Sequence, residues 1–94
     1  MASDKEYLEF ILEQLGEIDG ISFRPMMGEY ILYYQGKVFG GIYDNRFLIK
    51  PTKGAVAALP DAPRELPYEG AKSMLMVEDV ENKAFLKTLI EGIF

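Results

Sequence analysis

The chain contains no cysteine and no histidine. Without cysteine there is no disulfide to staple a small fold and no thiolate to act as a nucleophile. Small secreted domains often depend on disulfides, so their absence favours a cytoplasmic location. Without either residue, zinc, copper and haem sites lose their usual ligands. Ser-His and Cys-His nucleophilic catalysis are excluded for the same reason. Long apolar runs are also missing, and none approaches the ~20 residues that span a bilayer. Asp4, Glu6 and Glu9 fall where a secretory leader needs a basic stretch and an apolar run, so no signal peptide is expected. Gly36, Gly40 and Gly41 lie between strands or within one, with no helix following, so they make no phosphate-binding loop.

What is present points to one packed domain. The chain has 94 residues, of which 49% are apolar. That suits a single core over residues 1–94 and argues against disorder. The net charge of −5 is unevenly spread. In residues 1–21, Lys5 stands alone against Asp4, Glu6, Glu9, Glu13, Glu17 and Asp19. Residues 22–54 reverse the balance, with Arg24, Lys37, Arg46, Lys50 and Lys53 against Glu29 and Asp44. The acidic total repels nucleic acid at long range, while the basic centre leaves room for a local anion patch.

The pattern of apolar residues defines the elements. Ser3 and Glu6 have the spacing of a capping box, and Leu8, Ile11, Leu12 and Leu15 then repeat at helical intervals up to Gly16. A β-meander follows, with strands expected over Ile21–Met27, Tyr30–Gln35, Lys37–Tyr43 and Arg46–Lys50. Pro25 makes the first an edge or bent strand. Gly36 and Asp44-Asn45 supply tight turns, and such short connections require antiparallel neighbours. Thr52 caps a short helix reaching Leu59, and Pro60, Pro63 and Pro67 break the chain after it. Ser73–Val77 reads as a fifth strand. Asp79 then caps a last helix with Phe85, Leu86, Leu89 and Ile90 as its buried stripe. The expected fold is α+β, a two-layer sandwich. A mostly antiparallel sheet of about five strands carries helices on one face, in the order α-β-β-β-β-α-β-α.

Individual residues are weighed against simple packing. The acids of the first helix read as a solvated face rather than a metal site. Gly40-Gly41 reads as a bulge or a close approach by a helix. Met26 and Met27, adjacent on a strand, point to opposite faces, and core packing of both is favoured over a soft contact surface. Tyr30, Tyr33, Tyr34 and Tyr43 read as packing under the helices rather than as base-stacking residues.

Three runs carry a resemblance. They are Arg24-Pro25-Met26-Met27-Gly28-Glu29-Tyr30, then Tyr34-Gln35-Gly36-Lys37-Val38-Phe39, then Asp44-Asn45-Arg46-Phe47-Leu48-Ile49-Lys50. With the later run Pro67-Tyr68-Glu69-Gly70-Ala71-Lys72-Ser73-Met74, the sequence resembles the N-terminal domain of the TfoX/Sxy family of bacterial competence regulators. The resemblance covers essentially the whole chain. It implies a two-layer α+β sandwich, a bacterial cytoplasmic setting, and regulation through protein contacts. In better-known members the competence role is linked to a transcription activator of the cyclic-AMP receptor type. The family supplies no catalytic residues and no cofactor. Pro25, Met27 and Glu29 stand where its motif has arginine, phenylalanine and glycine. The helical C-terminal domain of two-domain members has no counterpart in residues 1–94, so a stand-alone domain is expected.

The expected function is therefore a regulatory or adaptor module that binds another protein, with a homodimer as one form of that contact. It is not expected to be an enzyme, to hold a metal or cofactor, or to bind a membrane. The candidate contact residues are Arg24, Met27, Glu29, Tyr68 and Lys72. Two alternatives remain at this level: nucleic-acid binding through Arg24, Lys37, Arg46, Lys50 and Lys53, and a small-ligand sensor using a groove between sheet and helices.

Overall fold

In the computed structural model, which describes residues 2–94, the element order is α1 (Lys5–Gln14), β1 (Ile21–Met26), β2 (Glu29–Tyr34), β3 (Lys37–Tyr43), β4 (Arg46–Ile49), α2 (Lys53–Ala58), β5 (Arg64–Glu65), β6 (Met74–Met76) and α3 (Lys83–Glu91). The strands form one open antiparallel sheet, ordered β1-β2-β3-β4-β6-β5. The α+β order is as the sequence suggests, with six strands rather than five. The extra strand, β5, is two residues long and lies among the prolines.

Register decides which face is buried. Leu32 pairs with Gly40, Gly40 with Ile49, and Ile49 with Leu75, while Ile42 pairs with Phe47. Opposed residues share a face. Leu32, Ile42, Phe47, Ile49 and Leu75 thus join Leu8, Ile11 and Leu15 of α1, Ala55 of α2, and Leu86, Leu89 and Ile90 of α3 in one core. Among the described residues all three helices cover this face, and the other carries none. Phe39 and Phe47 meet edge to face, 6.4 Å between centroids, at full burial.

Phe39 and Ile42 are three residues apart, yet both are core residues, which strict alternation forbids. A bulge resolves this: Leu32 opposes Gly40 but Tyr33 opposes Val38, so Phe39 is the extra residue. The close approach at the glycines comes from a strand, not a helix. A Cβ on Gly40 would strike the Leu48 carbonyl oxygen and lie 2.9 Å from Ile49 Cα.

All three hairpins of the meander close on two residues with positive φ: Met27-Gly28, Gln35-Gly36 and Asp44-Asn45. This is the turn form whose twist matches the strands. Met27 is therefore a turn residue and not the end of β1. Pro25 does sit on an edge strand. In a two-residue hairpin the closing pair, here Met26 and Glu29, is hydrogen-bonded, and pairs alternate from there. Pro25 opposes Tyr30 at a non-bonded position, so its missing N–H falls on the solvent side.

Two helix caps differ from expectation. Asp4, not Ser3, occupies the N-cap of α1, without a side-chain cap bond. Ser3 is instead buried and bonded elsewhere, as described below. Asn82, not Asp79, caps α3, its Oδ1 accepting from the Phe85 amide 3.1 Å away. Thr52 caps α2 as expected, accepting from Ala55 N–H at 3.2 Å.

Candidate functional site

The helix-free face is built from the alternate strand residues: Arg24 and Met26 of β1, Glu29, Ile31 and Tyr33 of β2, Tyr43 of β3, and Arg46 and Leu48 of β4. Gly41 sets its floor. A Cβ there would overlap the Tyr43 ring, so glycine lets that ring lie back across the strand. Tyr43 ends up buried on this face. Burial, with Tyr68, Glu29 and Tyr33 nearby, pushes its phenol above the ordinary value, so it stays a protonated hydroxyl.

Arg46 then roofs the floor. Its Nε donates to the Tyr43 carbonyl at 3.1 Å, Nη1 to Glu65 Oε1 at 3.1 Å, and Nη2 to the Leu66 carbonyl at 3.0 Å. A partly exposed ion pair contributes little by itself. Its geometric effect is larger, because it holds the segment after β5 against the sheet. That segment places the Tyr68 ring over Tyr43, 6.3 Å between centroids, with Pro67 buried beside them.

Two grooves flank this tyrosine pair. One, of about 840 Å³, is lined by Met26, Met27, Glu29, Tyr43, Asp44, Arg46, Leu66, Pro67, Tyr68 and Glu69. The other, of about 510 Å³, includes Val38, Tyr43, Lys50, Pro67, Tyr68, Ala71, Lys72 and Met74 in its lining. A third, of about 370 Å³, lies between the end of α2 and the start of α3, around Leu59 and Phe85.

Neither Met26 nor Met27 enters the core. Met26 is half-buried, and Met27 is 96% exposed at φ 51°. A non-glycine residue in this left-handed region costs about 1–2 kcal/mol, least for Asn and Asp. The side chain held out at that cost is apolar and stands at the edge of the larger groove. Met27→Asn is expected to raise stability by about 1 kcal/mol, or roughly 4–8 °C in melting temperature. A melting temperature that falls would mean the side chain packs internally instead.

The structure sorts the other candidates. Met27, Glu29 and Tyr68 line the larger groove, and Tyr68 and Lys72 the smaller. Arg24 shares the face, with its guanidinium carbon 5.9 Å above the Tyr33 ring. Glu29 is engaged from within. Its Oε1 accepts from the Ser3 hydroxyl at 2.6 Å and its Oε2 from the Asp44 amide at 2.9 Å. The Ser3 hydroxyl in turn accepts from Asn45 N–H at 3.0 Å, and Ser3 N–H donates to the Gly28 carbonyl. Glu29 therefore clasps the N-terminal segment to two hairpin turns.

The tyrosines divide between faces. Tyr30 and Tyr34 pack against the core below the helices, while Tyr33 and Tyr43 belong to the helix-free face. The basic centre does not converge. Arg46 is held by Glu65, Lys37 lies 5.5 Å from the Phe94 ring centroid by the β2–β3 turn, and Lys53 begins α2. Among the described residues no group of three or more His, Cys, Asp or Glu is placed to hold a metal, and no helix is long and apolar enough to cross a membrane.

Fold and face together define a small α+β domain with a helix-backed sheet and an apolar groove on its bare side. The TfoX N-terminal domain family model matches residues 13–87, and the chain belongs to that family. The family is associated with competence regulation. A similar protein is the "Uncharacterized 12.7 kDa protein in trpE 5'region" of Spirochaeta aurantia. It is 37% identical over 84 residues, which cover 89% of this chain and 73% of that one. No solved structure matches.

Proposed function

We propose that the chain is a cytoplasmic, non-catalytic regulatory module that binds a protein partner through the helix-free face. The observation carrying this is the gathering of exposed apolar side chains. Met27, Leu66 and Tyr68 are three of the large hydrophobic residues left exposed, and all line one groove. Scattered apolar residues need no explanation, but a contiguous patch within a polar rim does. Family membership supports the regulatory role. The sheet edges do not favour pairing with a second copy: β1 is blunted by Pro25 and β5 is two residues long.

Tyr68→Ala tests the proposal. Tyr68 is exposed and in an irregular segment, so losing its ring and its pairing with Tyr43 should cost only about 1 kcal/mol, and the variant stays folded. Loss of a central aromatic contact typically costs ~2 kcal/mol, or about 30-fold in affinity. The protein partner captured from nuclease-treated lysate of the source cells should therefore be lost with the variant. Capture as strong as with the unaltered chain would remove this face. Recovery of nothing once nuclease is added would favour nucleic acid.

A further inference from the structure

Resting on that surface, we infer that its ligand is one linear peptide segment of opposed charge: basic at one end, apolar or aromatic in the middle, acidic at the other. The two grooves share Tyr43, Pro67 and Tyr68, so they meet at the tyrosine pair and offer a ligand one path, a channel crossed at its middle by the Tyr68 ring. The channel runs along β3 and β4. Asp44 and Arg46 lie at its first end, Val38 and Lys50 at its second. With Phe39 bulged, Val38 to Asp44 advances five ladder steps, about 17 Å at ~3.3 Å each. That length holds about five residues of extended chain, or about eleven of helix at ~1.5 Å each.

The rims differ in sign. At the first end stand Glu29, Asp44 and Glu69, while the charge of Arg46 is offset by Glu65. At the second end stand Lys50 and Lys72, with no acidic side chain in the lining. Complementary charge along a channel fixes the direction in which a ligand lies and disfavours reversed sequences. The aromatic bridge between the ends supplies the anchor for a central apolar side chain. A channel of one sign would ask only for a basic or an acidic peptide. This one asks for both in order.

The test uses random 12-residue peptides displayed on phage and selected on the full chain. Selected sequences should carry Lys or Arg on one side of an aromatic or aliphatic centre and Asp or Glu on the other. A synthetic copy of the best peptide should bind at least tenfold more tightly than its charge-reversed counterpart. Glu69→Lys combined with Lys72→Glu keeps net charge and alters only exposed residues. It should abolish that preference while leaving the melting curve in place. Selected peptides with no charge order, or a preference unchanged in the double variant, would overturn the inference and leave the proposed protein-binding face standing. Failure to select any peptide would overturn it too, while the lysate experiment would still decide whether a folded partner binds.

Discussion

Gly40→Ala is expected to cost about 3 kcal/mol or more and to lower the melting temperature by roughly 12–24 °C. The added methyl group meets backbone, namely the Leu48 carbonyl and Ile49 Cα of the neighbouring strand. A side chain could rotate away, but these atoms are fixed by the β3–β4 ladder. Relief requires the strands to separate, which strains the bulge at Phe39 on one side and the Leu48–Met76 pairing on the other. Gly36→Ala is the control. Gly36 has open space around it but a φ of 81°, so it carries only the conformational penalty of about 1–2 kcal/mol. Equal effects at the two sites would show that the approach of β4 to β3 is not close enough to exclude a methyl group.

Phe47→Ala should cost about 3–5 kcal/mol. Against the 5–15 kcal/mol typical of a domain, that leaves little margin at physiological temperature. Phe47 has no exposed surface and meets Phe39 edge to face, so the substitution loses both burial and the aromatic pair. The bulge positions Phe39 for that contact, and the hole left by Phe47 lies between strand and helix layers. Denaturant unfolding should show a lower midpoint with an unchanged slope. A loss under about 1 kcal/mol would mean the layers close over the hole and the core is not centred on this pair.

Parts of this architecture are legible in the sequence, for local reasons. The four-strand meander shows because its apolar alternation and its Gly36 and Asp44-Asn45 turns agree, although Gln35 belongs to the turn and not to the second strand. The α1 and α3 stripes show because Leu8, Ile11 and Leu15, and Leu86, Leu89 and Ile90, repeat at helical spacing. Features set by distant contacts do not show. Ser3 has a capping-box pattern, but its hydroxyl is taken by Glu29 and Asn45 from elsewhere in the chain. Asp79 resembles a cap, yet α3 begins after Asn82 because Val77 still bonds to Phe47 and extends the connection. β5 is held by β6 and Arg46, with too few residues to alternate.

The candidate site divides the same way. Met27, Tyr68 and Lys72 are reachable from the departures at the first motif and the irregular proline-rich stretch. Tyr43 and Leu66 are not. Whether Tyr43 faces core or groove depends on the bulge, and Leu66 is placed by a carbonyl contact with Arg46. Met27 at a left-handed turn position gives no signal either, since the usual residues there are Asn, Asp and Gly. The one available hint was Gly28 following it.

The clasp around Glu29 also fixes where the segment at Ala2 and Ser3 lies. Ser3 is bonded to Gly28, so the backbone at Ala2 leaves beside the β1–β2 turn and next to Met27. Phe94 sits by Lys37, at the far end of β2. Ala2 thus stands beside the larger groove, whose lining includes Met27, Glu29 and Asp44. Phe94 lies a strand's length away from it. The domain is polar in this practical sense: residue 2 lies beside the larger groove and residue 94 lies at the opposite end of β2.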